Sequence, residues 1–376
     1  MKIFSREISK LISISSFICL SVMSTDAYCW GEMGHSIIGA IAEERMEPLT
    51  KNFVADVLGI EPMALSATWA DAVRDDQRFN HDSKNYNADQ RDADDNNFSD
   101  YHFAEVPAGF TYDTRPHKEA KDSFGAVAGA ISILKSPVGT YPRAAKIIAL
   151  RYLVHLIGDI HQPLHIGNGY DMGANFCSVY LPNDKYSSSL HSVWDNDLVA
   201  EFGKQLVAPN DPAPRAAKFY PEYVDRIKTF LPSEFNQAKP QDVSLNAIKS
   251  WVDQSANIRE ASVYPDAPNS MSGVPENEKY KHRAYCMWFA SQHDNTIGDT
   301  SAKKMKDIPL TAIPHLTDDY IKASVKIVEN QLIVSGVRLA AILDDIALEV
   351  SKQQPVPADT QQSALKAVQQ AFKLLN

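Results

Sequence analysis

The chain has 376 residues, 44% of them hydrophobic, with 47 Asp and Glu against 37 Lys and Arg and a formal net charge of −10. There is apolar material for a full core, and the acidic balance argues against a broad basic groove of the kind that holds duplex DNA. It leaves room for a nucleic-acid substrate gripped by a local cationic site.

The chain opens with the basic stretch MKIFSREISK, followed by LISISSFICLSVM, an apolar run of 13 residues. That run is too short to span a membrane and right for a secretory signal. Ala27 and Cys29 fit the −3 and −1 positions of a small-residue cleavage site, so residues 1–29 read as a signal peptide and Trp30 as the mature N-terminus. Asp26 weighs against lipoprotein cleavage before Cys29. Loss of the leader leaves 347 residues and a net charge of −11, because Lys2, Arg6 and Lys10 leave with Glu7 and Asp26. No other stretch is apolar for long enough to cross a bilayer. The expected product is soluble and exported, secreted or periplasmic, with no stable membrane association. Cys177 and Cys286 are then the cysteines left. They form either two buried thiols or one disulfide, which the chain-entropy model values at roughly 4–5 kcal/mol.

Helix-period apolar residues, among them Ile37, Ile38, Ile41 and Ala42, predict a helix over 31–58. SATWADAVR (66–74) reads as a second, short one. Residues 75–100 are rich in Asp and Asn and read as a solvated loop, whose DADDNN run lacks the glycine and terminal glutamate of a calcium loop. YHFAEVP (101–107) reads as extended, 119–135 and 144–162 as helices, and 166–190 as a loop with a strand or hairpin at FCSVYL (176–181). Helix returns over 191–206, around 221–230 within the Pro-punctuated 207–243, and over 244–261. A Pro/Gly/Asn-rich connection covers 265–280, a long amphipathic helix 318–350, and a short appended helix 363–374. With no internal repeat, the expectation is one all-α catalytic domain, 30–350, with a tail at 351–376.

The chemistry concentrates in HLIGDIHQPLH (155–165). On a helix His155 and Asp159 project from one face, and an imidazole with a carboxylate can grip the same divalent cation. Pro163 cannot continue the helix, which turns His165 toward another partner. LHSVWDN repeats the spacing with His191 and Asp195. Three histidines and two carboxylates are too many for one catalytic zinc. A terminal amine and its own carbonyl can also chelate a metal, and WGEMGH places His35 five residues after Trp30.

With Asp71 in TWADAVR and His102 in YHF, this inventory resembles the secreted, single-strand-specific zinc nucleases of fungi and plants, the type I nuclease/3′-nucleotidase family, relatives of zinc-dependent phospholipase C. The order and approximate spacing of WGEMGH, WADAVR, YHF, HLIGDIHQPLH, DMGANF, LHSVWDN, the WVDQSA helix and SGVRLAAILDD agree over about residues 30–345. The resemblance implies an α-helical domain with three Zn2+ at the base of a cleft. The first would sit on Asp71, His102, His155 and Asp159, and the second on His165, His191 and Asp195. The third would sit on the Trp30 amine and carbonyl, His35 and Asp159, making Asp159 a bridge. His161 is given a packing or supporting role. Against three Zn2+ the three aspartates leave an excess of about +3, enough to draw in a phosphodiester.

The implied reaction is hydrolysis of the P–O3′ bond of single-stranded DNA and RNA, and of 3′-nucleotides, leaving a 5′-phosphate with no covalent enzyme intermediate. Catalytic parts fall to Asp71, which orients or deprotonates the nucleophile, and to Arg74, which holds the charged phosphoryl oxygens. Asn196 matches the family's base-contacting position, with Asn175 nearby. A monomer is expected. Two departures stand out, neither on a ligand: Ala174 replaces a glycine before the asparagine of DMGANF, and Gln254 replaces a glutamate in WVDQS. Two rivals remain open. Zinc-dependent phospholipase C is disfavoured by the Trp30–His35 spacing, by Asp195 where it has glutamate, and by the lack of an evident choline cage. A non-catalytic exported zinc-binding protein predicts no hydrolysis sensitive to EDTA.

Overall fold

A computed structural model describes residues 30–73, 98–118, 121–169, 171–204, 238–265, 313–354 and 364–373. The architecture is all-α, with two small two-stranded pairings among the described residues. Helix α1 (Glu32–Arg45) and helix α2 (Pro48–Leu58) replace the single helix expected over 31–58. Met46 and Glu47 are extended between them, and Pro48 starts α2, since proline fits a first helical turn but not an interior. The short helix expected over 66–74 is two single turns, α3 (Met63–Ser66) and α4 (Trp69–Ala72), the second carrying Asp71.

Helix α5 (Ser123–Lys135) begins later than expected, where the Asp122 carboxylate accepts from the Gly125 amide at 2.8 Å. It packs on α6 (Arg143–Asp159), whose last turns, Tyr152 to Asp159, are buried all round. A helix with no solvent face belongs at the centre of a fold. Here it brings its C-terminal end, with His155 and Asp159, into the interior.

Strand β1 (Ala104–Glu105) pairs in parallel with β2 (Ile166–Gly167), Ala104 opposite Ile166. The pairing ties the chain just after His102 to the chain just after His165. Strand β3 (Ser178–Tyr180) and strand β4 (Ser187–Ser189) form the hairpin in the 166–190 loop. The helix expected over 191–206 is broken into α7 (Leu190–Ser192), a π turn (Val193–Asp197) and α8 (Leu198–Gly203). Such turns insert an extra residue and collect at functional positions; this one holds Asp195.

Helix α9 (Leu245–Ile258) ends in a second π turn (Arg259–Val263). The 34-residue α10 (Asp318–Ser351), capped by Thr317, packs along α1. Helix α11 (Ala364–Lys373) lies in what reads as a tail, yet its Ala367, Val368, Ala371 and Phe372 join the main core and it packs on α5 and α6. The expected helix at 221–230 and most of the 75–100 loop lie outside the described residues. No helix among the described residues is long and apolar enough to cross a membrane.

Candidate metal centre

Four side chains from three segments converge below α6. The His102 Nδ1 and His155 Nε2 atoms are 3.0 Å apart. Each lies 3.3 Å from Oδ2 of Asp159 and 3.7 Å from Oδ1 of Asp71. A tetrahedral zinc with bonds of about 2.0–2.1 Å sets donor–donor edges at about 3.3–3.4 Å. The hole between these four atoms has that size.

The other oxygen of Asp159 faces away from this hole, 3.3 Å from Nε2 of His35 on α1. The rings of His35 and His155 stack at 3.8 Å. The approach depends on Gly158, because a Cβ there would lie 2.8 Å from Nδ1 of His35. Trp30 is buried beside it and its indole N–H donates to the Gly158 carbonyl at 3.0 Å. The first residue expected of a trimmed chain is therefore pinned to the helix that carries Asp159. A second cluster lies alongside, with His191 Nε2 3.0 Å from Asp195 Oδ2 and His165 Nε2 3.8 Å from Asp195 Oδ1.

The backbone fixes which nitrogen each ring presents. Nδ1 donates to the Ala67 carbonyl in His155 (2.7 Å), to that of His102 in His165 (2.8 Å) and to that of Gly173 in His191 (2.6 Å). In all three Nε2 is left facing the carboxylates, the arrangement that holds metal-binding imidazoles in register. Gln162, which the sequence reading passed over, is wholly buried and donates to Asp195 Oδ1 at 2.6 Å. Its position inside HQPLH was the available signal. Its own oxygen accepts from the Leu164 amide at 2.5 Å, so the amide cannot turn round.

Buried polar atoms normally find partners. Here both ring nitrogens of His35, Oδ1 of Asp71, both oxygens of Asp159, Nε2 of His165 and Oδ2 of Asp195 are buried without a hydrogen bond among the described residues. Burial would strip the charge from His155, but Asp159 and Asp71 override it and lift the imidazole to about 9. Burial likewise opposes charge on Asp159, yet His155 and His165 hold it well below the usual carboxylate range. Packed carboxylates that draw protons onto their neighbours are short of cations. Two sets of donor atoms, His102, His155 and Asp159, and His165, His191 and Asp195, are each close enough to hold one metal ion, and His35, Asp71 and His155 form a third, overlapping set.

A family model described as S1/P1 Nuclease matches residues 30–348. The chain belongs to the S1/P1 nuclease family. Its nuclease relatives make it a phosphodiester-hydrolysing enzyme that acts on nucleic acid, and S1/P1 nucleases are metal-dependent. Nuclease S1 of Aspergillus oryzae is 32% identical over 209 residues, which span 54% of this chain and 64% of that protein. Endonuclease 2 of Arabidopsis thaliana is 25% identical over 331 residues, covering 84% of this chain and 90% of the relative. Nuclease P1 of Penicillium citrinum is 28% identical over 171 residues, covering 44% and 57%.

The remaining expected site residues are scattered in their placement. Arg74 and Cys286 lie outside the described residues. Cys177 is buried. Asn196, half-buried in the π turn, lies over Gly31, where a Cβ would come within 2.2 Å of its Oδ1. The Asn175 side chain donates to the Met172 carbonyl at 2.8 Å. His161 is in neither cluster. Ala174, which the sequence reading set on no ligand, lies close to His191. It is held at φ 65, the left-handed region that glycine enters freely, next to the Gly173 carbonyl that orients His191. Phe103, directly after His102, is an aromatic the sequence reading left unassigned, and its ring is partly exposed.

Proposed function

We propose that this nuclease is an exported zinc enzyme that cuts single-stranded DNA and RNA at the P–O3′ bond, leaving 5′-phosphates, and that it also removes the phosphate of 3′-nucleotides. The observation that carries the reading is the shared carboxylate: Asp159 closes the four-atom hole with Oδ2 while Oδ1 faces His35. One aspartate serving two ions needs its oxygens aimed apart, as here.

We assign three Zn2+: one on Asp71, His102, His155 and Asp159, one on His165, His191 and Asp195, and one on His35, Asp159, the Trp30 carbonyl and the Trp30 amine that removal of residues 1–29 would free. Bound ions would supply an activated water at neutral pH and neutralise charge building on the phosphate and the departing 3′-oxygen. The protein's own groups do the rest. Asp71, near the surface side of its hole, orients the attacking water and accepts its proton. Arg74, three residues on, steadies the phosphoryl oxygens. Asn196 and Asn175 take hydrogen bonds from a base splayed out of a strand, and an exposed aromatic such as Phe103 offers a stacking face. A stacked duplex cannot bring its phosphate to donors buried this deeply. Cys286 is the partner we assign to Cys177.

The test is metal analysis of protein beginning at Trp30, paired with assays on single- and double-stranded oligonucleotides with and without EDTA. Three zinc equivalents and chelator-sensitive cleavage confined to single strands are expected. Fewer equivalents at saturating zinc, or untouched single strands, would overturn the reading.

A further inference from the structure

Helix α11 (Ala364–Lys373) lies beyond residue 348, where the match to the S1/P1 family ends, and it closes over the back of the metal centre. Phe372 is fully buried, with ring centroids 5.2 Å from Tyr101, 5.6 Å from Tyr152 and 6.0 Å from Phe98. Its contacts with Tyr101 and Tyr152 are edge-to-face, at 86° and 90°, the arrangement ring quadrupoles favour. The seat is built for it. A Cβ on Gly129 of α5 would lie 2.8 Å from both the Ala371 carbonyl oxygen and the Phe372 ring, so only glycine lets α11 down this far.

The residues gripped by Phe372 are neighbours of the metal donors. Tyr101 directly precedes His102, and Tyr152 stands three residues before His155 on α6, its ring 6.5 Å from the His102 ring. His102 in turn does two things: its Nδ1 enters the four-atom hole, and its carbonyl accepts from His165 Nδ1. The short 3-10 turn Ser99–His102 is thus held between α6 and α11, and it sets one donor directly and a second through the backbone.

We propose that α11 is a clamp on the metal centre and that Phe372 is a positioning residue, holding the Tyr101–His102 segment in the register that keeps zinc bound. This rests on the zinc reading above. Groups that hydrogen-bond a metal ligand change metal affinity by about 10–100-fold without touching the ion, and a packing residue that fixes a ligand's segment is expected at the lower end of that range.

The experiment measures zinc release from the full mature chain to a chromophoric chelator, with thermal unfolding followed in parallel. Phe372→Ala and the milder Phe372→Leu are compared with Leu343→Ala, which empties a buried position on α10. The expected result is that Phe372→Ala releases part of its zinc about tenfold faster than Leu343→Ala at matched unfolding midpoints, with Phe372→Leu between it and the parent. Equal release rates at equal midpoints would reduce α11 to ordinary core packing and overturn the clamp. Should Phe372→Ala not fold, Phe372→Leu carries the same comparison. An unaltered chain that takes up no zinc would instead bring down the metal reading itself.

Discussion

Six buried histidines among the described residues lie at the end of α6 or in the cluster beside it, and they are of two kinds. His161 is satisfied at both nitrogens: Nδ1 donates to the Ile157 carbonyl at 2.7 Å and Nε2 accepts from Arg338 at 2.8 Å. Arg338 in turn lies over the Trp251 ring and donates to Gln254 at 2.6 Å. Burial and then the Arg338 charge push His161 down to about 3, so it is a neutral acceptor in a closed polar network. His35, His102 and His155 instead face oxygens of Asp159 and Asp71 that no hydrogen bond among the described residues satisfies. His191 faces such an oxygen of Asp195, and Nε2 of His165 is itself without a hydrogen bond there. Burial is the same for both kinds, and His155, His161 and His165 share one motif. What separates architecture from chemistry is whether the hydrogen-bond account closes.

Substitutions on the open side should show the largest effects. Asp159→Asn removes the charge that two ions would share, so turnover should fall by about 10³-fold or more, with zinc content falling in step. Undiminished zinc by mass spectrometry would refute the bridge. An extra residue left ahead of Trp30 should cost the third zinc and cut turnover by about 10²-fold, since a peptide nitrogen cannot replace an amine ligand. Cleavage at the parental rate would remove the terminus from the site. Gln162→Leu should weaken zinc at the second cluster by about 10–100-fold, because Asp195 loses the donor that turns its Oδ2 toward His191. A titration matching the parent would show that Asp195 needs no such guide.

How much of this was legible beforehand follows the same division. His155 with Asp159, and His191 with Asp195, declare themselves through four-residue spacing and donor chemistry, and the structure brings each pair together. Gln162 and Arg338 could not be read out. Their roles depend on side-chain bonds reaching 33 and 177 residues along the chain, which no local pattern encodes. Pro48 was a visible stop signal that helix periodicity overrode. The π turn at Asp195 differs from a helix by one inserted residue, which apolar spacing is too coarse to register. Helix α11 shows its apolar face in Ala367, Val368, Ala371 and Phe372 but not what that face meets; the gap at Gly129 decides that.

On the closed side the comparison predicts losses of stability without losses of metal. Arg338→Met keeps a long stem over Trp251 but strands the buried Nε2 of His161. Unfolding should cost about 1–3 kcal/mol less, the usual penalty for an unpaired buried acceptor, with zinc equivalents unchanged. Zinc loss on that substitution would mean that the network tunes the metal centre after all, and the division between the two kinds of histidine would fail.

The smallest effect is expected at Gln254. Its oxygen already accepts from Arg338 at 2.6 Å, so Gln254→Glu changes the charge of an existing contact and little else. A charged acceptor roughly doubles the strength of such a bond, but Gln254 is exposed, and water screens most of that gain. The net should be about 0.2–1 kcal/mol of added stability, shrinking as salt is raised. Thermal unfolding at two ionic strengths reads this directly. A destabilised protein would show that the amide's own N–H donors are in use and that glutamine was selected for them. An altered cleavage rate at unchanged stability would show that the charge reaches the phosphate site, and that the closed network is not electrically separate from the open one.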